Sequence, residues 1–388
     1  MAAPVRSLVA CAVSLPRDVP YLGPLAEGEA VNARGYIVRR GNRTIYPTSD
    51  RSVIVKATAA DGTVGWGETY GIVAPQAVLA ILRDVLFPFV EGRHARDAAT
   101  IYDELYDLQR VRGASGGYYG DALAAVDIAL HDLAARQAGV PVAALLGGAL
   151  ATSLPAYASG LPKATLPERI ELARELAARG FRGIKYAAAV SHEGVVAEMR
   201  ALREALPHAD LMVDMHWRYT TQDALQLARE LASAKPYFIE APCAPEDVDG
   251  LAAVAAAAGV PVAAGEEWRN AHEAQLRLSR ARLGYVQPEV AHTGISQFVA
   301  IAGLARQHGA AVVPHATISV GIFMAASLHA ASTLADCPYH EYQPSVFDRK
   351  LAHVDTTMAC DAGRYTLPTG PGLGVEPRAS LWQHRLDM

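Results

Sequence analysis

Six residues able to move protons or hold a cation recur at near-equal spacing along the chain: Asp214, Glu240, Glu266, Glu289, His315 and Glu341. The intervals between neighbours are 26, 26, 23, 26 and 26 residues. A strand, a loop, a helix and a return loop take roughly this many residues in a (β/α) barrel. If each residue ends a strand, all six side chains gather at one face of a closed parallel barrel, where such barrels carry their chemistry. Three carboxylates converging there need a cation between them, because like charges at close range oppose joint ionisation. The pattern reads as a metal-dependent enzyme.

Asp214, Glu240 and Glu266 stand in LMVDMHW, YFIEAP and VAAGEEW, each at the end of an apolar run. Any one of them could be a loop acid or a helix cap, but three at one register favour a ligand set. Hard carboxylate oxygens without clustered thiolates suit Mg²⁺ or Mn²⁺ rather than zinc. His315, in VVPHAT, would alone be read as structural. Glu289, one strand earlier, changes that: its carboxylate could accept the imidazole N–H, fix the tautomer and raise basicity. His216 lies two residues past Asp214, and period two in a strand would point it to the same side. It is a second acid/base candidate, or a rim histidine bonded to a loop carbonyl. Lys185, in GIKYAA, could bind a substrate carboxylate or stabilise negative charge, or else pair with a neighbouring barrel acid. Glu341, in HEYQPS, could donate a hydrogen bond to a developing enolate if kept protonated, or serve as a partner of Lys185 or His315. Tyr219, Arg218, Glu267 and His292 flank these positions as candidate substrate contacts. Together these groups suit proton abstraction beside a carboxylate. A cation binds the substrate carboxylate, His315 removes the neighbouring α-proton, and charge develops as a metal-stabilised enediolate.

The elements that must position these residues follow from pattern. Eight short apolar runs, most ending in polar residues, alternate with Ala/Leu/Glu/Arg-rich helical segments: SLPAYASG, FRGIKYAA, ADLMVDMHW, YFIEAP, PVAAGEEW, LGYVQPEV, AAVVPHAT and YHEYQPS. Strands buried on both faces look like this. A doubly wound sheet would usually carry a glycine-rich phosphate turn, and neither GxGxxG nor GxxxxGK[ST] occurs. Ahead of the barrel, SVIVKATA, the DGT turn and VGWGE predict a hairpin. Helical patterns follow over 75–90, 97–110 and 121–138, with GASGGYYG as a linker, which makes the first part α+β. The expected division is an α+β capping domain over 1–140, a barrel over 141–360, and a Gly/Pro-rich segment over 361–388 returning to the cap.

The chain has 388 residues, a net charge of −5 and 51% hydrophobic residues, which fits a globular protein with a large core. No basic block recommends nucleic acid, and no run of about 18 apolar residues predicts a membrane span. Cys11, Cys243, Cys337 and Cys360 are scattered without CxxC pairing, which reads as buried thiols in a reducing cytoplasm. The apolar stretch near the N-terminus, stopped by Pro16, reads as a strand rather than a signal peptide.

With these residues in place, the chain resembles the enolase superfamily, and within it the mandelate racemase subgroup. The likeness covers nearly the whole length, including AAVDIALHDLAARQAGVPVAALLGG and the Asp214/Glu240/Glu266, Glu289/His315 and Glu341 positions. It implies a modified (β/α)₇β TIM-like barrel with an α+β capping domain, Mg²⁺, a small carboxylate substrate and symmetric homo-oligomers. It also implies that Tyr21 to Thr48 and Thr69 to Pro75 select substrate. Two departures matter. Many members carry K-x-K at the end of the second strand, where this chain has Lys185-Tyr186-Ala187. A two-base racemase is disfavoured, because Ala187 moves no proton. Glu289 also stands where an aspartate usually orients the histidine. The DMH run, Asp214 to His216, resembles the galactonate dehydratase type of acid-sugar dehydratase, in which a histidine helps the β-hydroxyl leave. The resemblance therefore implies dehydration of an aldonate or aldarate to a 2-keto-3-deoxy acid. A cycloisomerase or epimerase acting on a sugar acid or lactone is the alternative on the same scaffold.

Overall fold

The computed structural model describes residues 2–191, 193–316 and 320–387. A three-stranded antiparallel sheet comes first, in the order β1 (Val5–Pro16), β4 (Ser49–Ala59), β5 (Val64–Tyr70). A small hairpin, β2 (Tyr36–Val38) with β3 (Ile45–Pro47), lies between β1 and β4. The β4–β5 turn uses Gly62 at φ +88°, a value only glycine adopts without strain. One face of this sheet is covered by the helix Gly117–Ala138, whose residues 122–126 and 128–130 are buried without a polar break except Asp127. The packing is close. A Cβ added at Gly67 would meet the Ala125 carbonyl oxygen, so β5 and the helix backbone touch directly at that glycine.

That helix starts at Gly117, within the GASGGYYG run expected to be a linker. Gly120 lies against the Arg269 side chain, so tertiary contact there accommodates a residue of low helix propensity. The helical pattern over 75–90 is also broken, into Pro75–Ala80, a π-helical turn Ile81–Leu86, and Phe87–Val90.

The second body is the barrel. Parallel strands run β6 (Ser153–Ser159), β7 (Gly183–Ala187), β8 (Asp210–Asp214), β9 (Phe238–Glu240), β10 (Val262–Ala264), β11 (Tyr285–Val286), β12 (Ala311–Val312) and β13 (His340–Tyr342). β13 pairs with β6, and the Glu341 N–H donates to the Pro314 carbonyl just past β12, which closes the ring. All eight apolar runs supply a strand; Thr317, the last residue of AAVVPHAT, lies outside the described residues. Several of the helices between them start on side-chain caps. Thr165 and Glu168 form a reciprocal capping box, and Thr220, Asp247 and Asn270 each accept a backbone N–H with the side chain. Helix Val290–Gln307 is kinked at Gly294 (φ 69°, ψ 178°), and Asp127 accepts the Ser296 N–H just beyond. The stretch 289–294 is thus a turn that carries Glu289 and His292 to the mouth.

The C-terminal segment packs on the first sheet. Trp382 stacks on Trp66 at 5.8 Å, and the Leu386 N–H donates to the Ala12 carbonyl. Among the described residues, no helix is long and apolar enough to cross a membrane.

Candidate active site

Asp214 and Glu240 end β8 and β9 and are direct register partners, so both side chains leave the ladder on one side. Glu266 follows β10 by two residues. Glu289 and His315 form an isolated parallel bridge beyond β11 and β12, and Glu341 sits in β13. The barrel brings all six to one mouth.

The contacts there are dense. His315 Nδ1 lies 2.8 Å from Glu289 Oε2, while its Nε2 lies 3.0 Å from Glu266 Oε2 and 3.6 Å from Glu341 Oε2. Lys185 Nζ donates to both Glu240 oxygens, at 3.0 and 2.7 Å, and pairs with Glu341 at 3.2 Å. His216 Nε2 lies 3.1 Å from Asp214 Oδ2. Burial alone would lower the His315 pKa, yet the Glu266 and Glu341 charges raise it well above the usual imidazole value. Glu240 moves the other way from an ordinary acid: burial, then the Asp214 and Glu266 charges, push its carboxyl well up although Lys185 pulls it down.

Two readings sharpen in detail. Of the two offered for Glu341, donation to an enolate needs a protonated carboxyl. Burial favours that, but Lys185 and His315 outweigh it and hold the carboxyl below its ordinary value. It is an ionised partner of those two groups, and its Oε2 accepts the Ala316 N–H at 3.1 Å. His216 does not reach the site by strand alternation, because β8 stops at Asp214. His216 and Trp217 both adopt φ 51°, a left-handed pair costly for non-glycine residues. That turn, with the His216 N–H donating to Asp214 Oδ1, folds the imidazole back onto the carboxylate.

Two family models match: the mandelate racemase / muconate lactonizing enzyme N-terminal domain over residues 44–147, and the enolase C-terminal domain-like model over 168–381. This chain belongs to the enolase superfamily. Superfamily likeness extends to named relatives. D-galactarolactone cycloisomerase of Agrobacterium fabrum is 32% identical over 86% of this chain and 91% of its own. D-galactonate dehydratase of Xanthomonas euvesicatoria is 28% identical over 86% and 90%. A crystal structure of an enolase-superfamily member from Agrobacterium tumefaciens superposes with TM-score 0.97 at 50% identity over the whole of both chains.

Members of this superfamily bind Mg²⁺. In this enolase-superfamily member, the donor chemistry fits such an ion. Asp214, Glu240 and Glu266 offer hard oxygens, and the Asp214 and Glu266 charges add to burial in pushing the Glu240 carboxyl up. Among the described residues, no three acidic, imidazole or thiol side chains already form a cage that could hold a metal ion. Each of the three carboxylates is turned instead to Lys185, His216 or His315.

The remaining candidates fall around the mouth. Lys185 is fully engaged with two acids, the pairing reading of its position. Glu267 accepts the Trp268 indole N–H at 2.9 Å, and burial pushes its carboxyl up to about 7. His292 Nδ1 lies 2.6 Å from Asp121 of the capping helix, and its ring lies 4.7 Å from that of Tyr70. Tyr219 is half-buried in a bridge with Cys243, and Arg218 donates to the Ala188 carbonyl; no hydrogen bond joins either to the carboxylates among the described residues.

Sequence reasoning named the cap segments but missed two tyrosines in or beside them. Tyr46, in β3, stacks on Tyr21 at 5.2 Å. Burial, with smaller contributions from the Asp214 and Glu266 charges, pushes its phenol up to about 12. Tyr70, at the end of β5, donates to Glu289 Oε2 at 2.9 Å. A cavity of about 950 Å³ opens beside the mouth, lined by Arg17, Tyr21, Arg39, Ser159, Ala187 and Lys350 among others. None of the six barrel residues lines it, so it adjoins the acids rather than enclosing them.

Proposed function

We propose that this chain dehydrates a sugar acid, an aldonate or aldarate, to a 2-keto-3-deoxy acid. The observation that carries the reading is the pair of imidazoles bracketing the acid trio: His315 against Glu266 and His216 against Asp214. Elimination needs a base for the α-proton and an acid for the departing β-hydroxyl, and two imidazoles supply both.

Asp214, Glu240 and Glu266 would hold a Mg²⁺ ion, which supplies positive charge for the substrate carboxylate as its α-carbon loses a proton. His315 takes that proton, with Glu289 fixing the ring through Nδ1 so that Nε2 faces the mouth. A cation held by Glu266 would compete with the imidazole for that carboxylate and would favour the neutral His315 that a base requires. His216 gives a proton to the β-hydroxyl, which departs as water, and the resulting enol tautomerises to the 2-keto acid. Lys185 holds Glu240 and Glu341 in place and draws the proton affinity of both down.

Cycloisomerisation of a sugar lactone is the second reading. It is favoured by the 32% identity to a galactarolactone cycloisomerase, against 28% to a galactonate dehydratase. Both readings share the α-proton step and part afterwards. Aldonates, aldarates and their lactones, incubated with Mg²⁺ in deuterated water, separate them. A 2-keto acid trapped by semicarbazide supports elimination, and its loss with retained α-exchange in His216→Asn assigns the acid. Isobaric products alone would replace dehydration by cycloisomerisation, and no α-deuterium in any compound removes both.

A further inference from the structure

We propose that Tyr70, delivered by the capping sheet, is a positioning residue for the His315–Glu289 dyad, and that it allows a glutamate to serve at position 289. The proposal rests on the reading of His315 as the base and adds the group that sets its geometry. A glutamate has one more rotatable bond than an aspartate, so its carboxylate sweeps a larger volume and needs more anchors to hold one pose. Glu289 has three. Its Oε1 accepts the Ala291 N–H at 3.0 Å, and its Oε2 accepts both the His315 ring at 2.8 Å and the Tyr70 hydroxyl at 2.9 Å. The residue is fully buried, so each of these contacts acts without competition from water.

Tyr70 is itself held. Its ring packs edge-on against Phe323 at 5.4 Å and tilted against His292 at 4.7 Å. Its neighbour Thr69 donates to the Ala291 carbonyl at 2.5 Å, and Asp121 holds His292 at 2.6 Å. Cap residues therefore grip the turn 289–292 at Glu289, Ala291 and His292, three points within four residues. The consequence is that the base on the barrel is aimed by a hydroxyl from the cap. Tyr70 and His315 share one oxygen of Glu289, so the two donors compete for its charge: a stronger phenol donor weakens the imidazole bond, and its removal strengthens it.

Two measurements test this. The first needs no substrate. In Mg²⁺-saturated protein, the His315 Nδ1–H proton resonance, assigned by its loss in His315→Asn, moves downfield in Tyr70→Phe. It moves upfield when 3-fluorotyrosine, a stronger donor, replaces tyrosine at 70. A resonance unmoved by both changes overturns the proposal whatever reaction the enzyme performs. The fluorinated residue keeps the ring packing, so it decides the matter even if Tyr70→Phe folds poorly. The second is a kinetic cycle on whichever sugar acid the panel identifies. Tyr70→Phe lowers kcat about tenfold with KM within about twofold, the loss of one hydrogen bond to a charged acceptor that touches no substrate. In Glu289→Asp the carboxylate withdraws from the phenol, and adding Tyr70→Phe costs less than about twofold more. Full multiplication of the two single effects overturns the proposal. If no sugar acid turns over, the functional reading fails while the resonance still decides the placement of Tyr70.

Discussion

The two ends of the barrel are built from the same strands and carry opposite chemistry. The mouth collects Asp214, Glu240, Glu266, Glu289, Glu341, Lys185 and His315, with a left-handed His216–Trp217 pair at its edge. The floor is an aromatic plug. Tyr157 packs edge-on to Phe238 and Tyr339, Tyr237 stacks on Tyr285 at 5.0 Å, and Met212 and Val313 fill between. Tyr339 donates to Asp210 at 2.5 Å, the one acid at the start of β8, while Asp214 at its end is left to the mouth. Five residues of one strand thus span from a packing residue to a candidate ligand. Strand starts set stability and strand ends set chemistry, so substitutions at the two ends should fail in different measurements.

The largest effect expected is at the mouth. His315→Asn should lower α-proton exchange by about 10³- to 10⁴-fold, the contribution of a general base, or about 4–5.5 kcal/mol in barrier. Stability of the Mg²⁺-saturated protein should change far less than that. At the floor, Phe238→Ala should cost about 3–5 kcal/mol of unfolding free energy, the transfer and cavity terms of a fully buried ring. Its kcat per folded molecule should stay within about twofold of the parent. Urea unfolding and exchange by NMR, run on both variants, check the pair. A floor variant that loses exchange while remaining folded, or a mouth variant that keeps it, would break the division.

The strand set was readable in sequence because it rests on local pattern. Each apolar run had to be buried on both faces, and some helices carry a local start signal, as Thr165 with Glu168 does. The acid and imidazole positions were readable because one residue type recurred at one register. What escaped depends on contacts distant in sequence. Tyr70 meets Glu289 across 219 positions, and no period in β5 marks its hydroxyl. Gly117 to Gly120 carry every local sign of a linker, yet they sit in a helix where Arg269 packs against Gly120 and Tyr119 is buried with its hydroxyl on the Leu105 carbonyl. His216 was placed near Asp214 by strand alternation, and it arrives there by a left-handed turn instead, a conformation that side-chain type does not announce. The choice between the two readings of Glu341 was out of reach for a similar reason: its partners Lys185 and His315 come from strands far along the chain.

Buried histidines extend the comparison to pH. His315 sits among acids, which raise its pKa well above the usual value despite burial. His329 sits in the buried helix Ile322–Ser332 behind the mouth, with one ring nitrogen on the Leu373 carbonyl. Burial lowers its pKa from 6.5 to about 4. The sign follows from proton counting: between these two values the unfolded chain binds a proton that the folded protein refuses. Stability from His329 is complete above about pH 6.5 and falls as pH drops toward about 4, by roughly 3 kcal/mol. His340, also lowered to about 4, adds to the same slope. His329→Gln keeps a polar group there but removes the titration, so unfolding free energy measured from pH 7.5 to 4.5 should fall less steeply than in the parent. Equal slopes would mean that His329 is not held neutral, and that burial behind the mouth does not oppose charge as the apolar surroundings require.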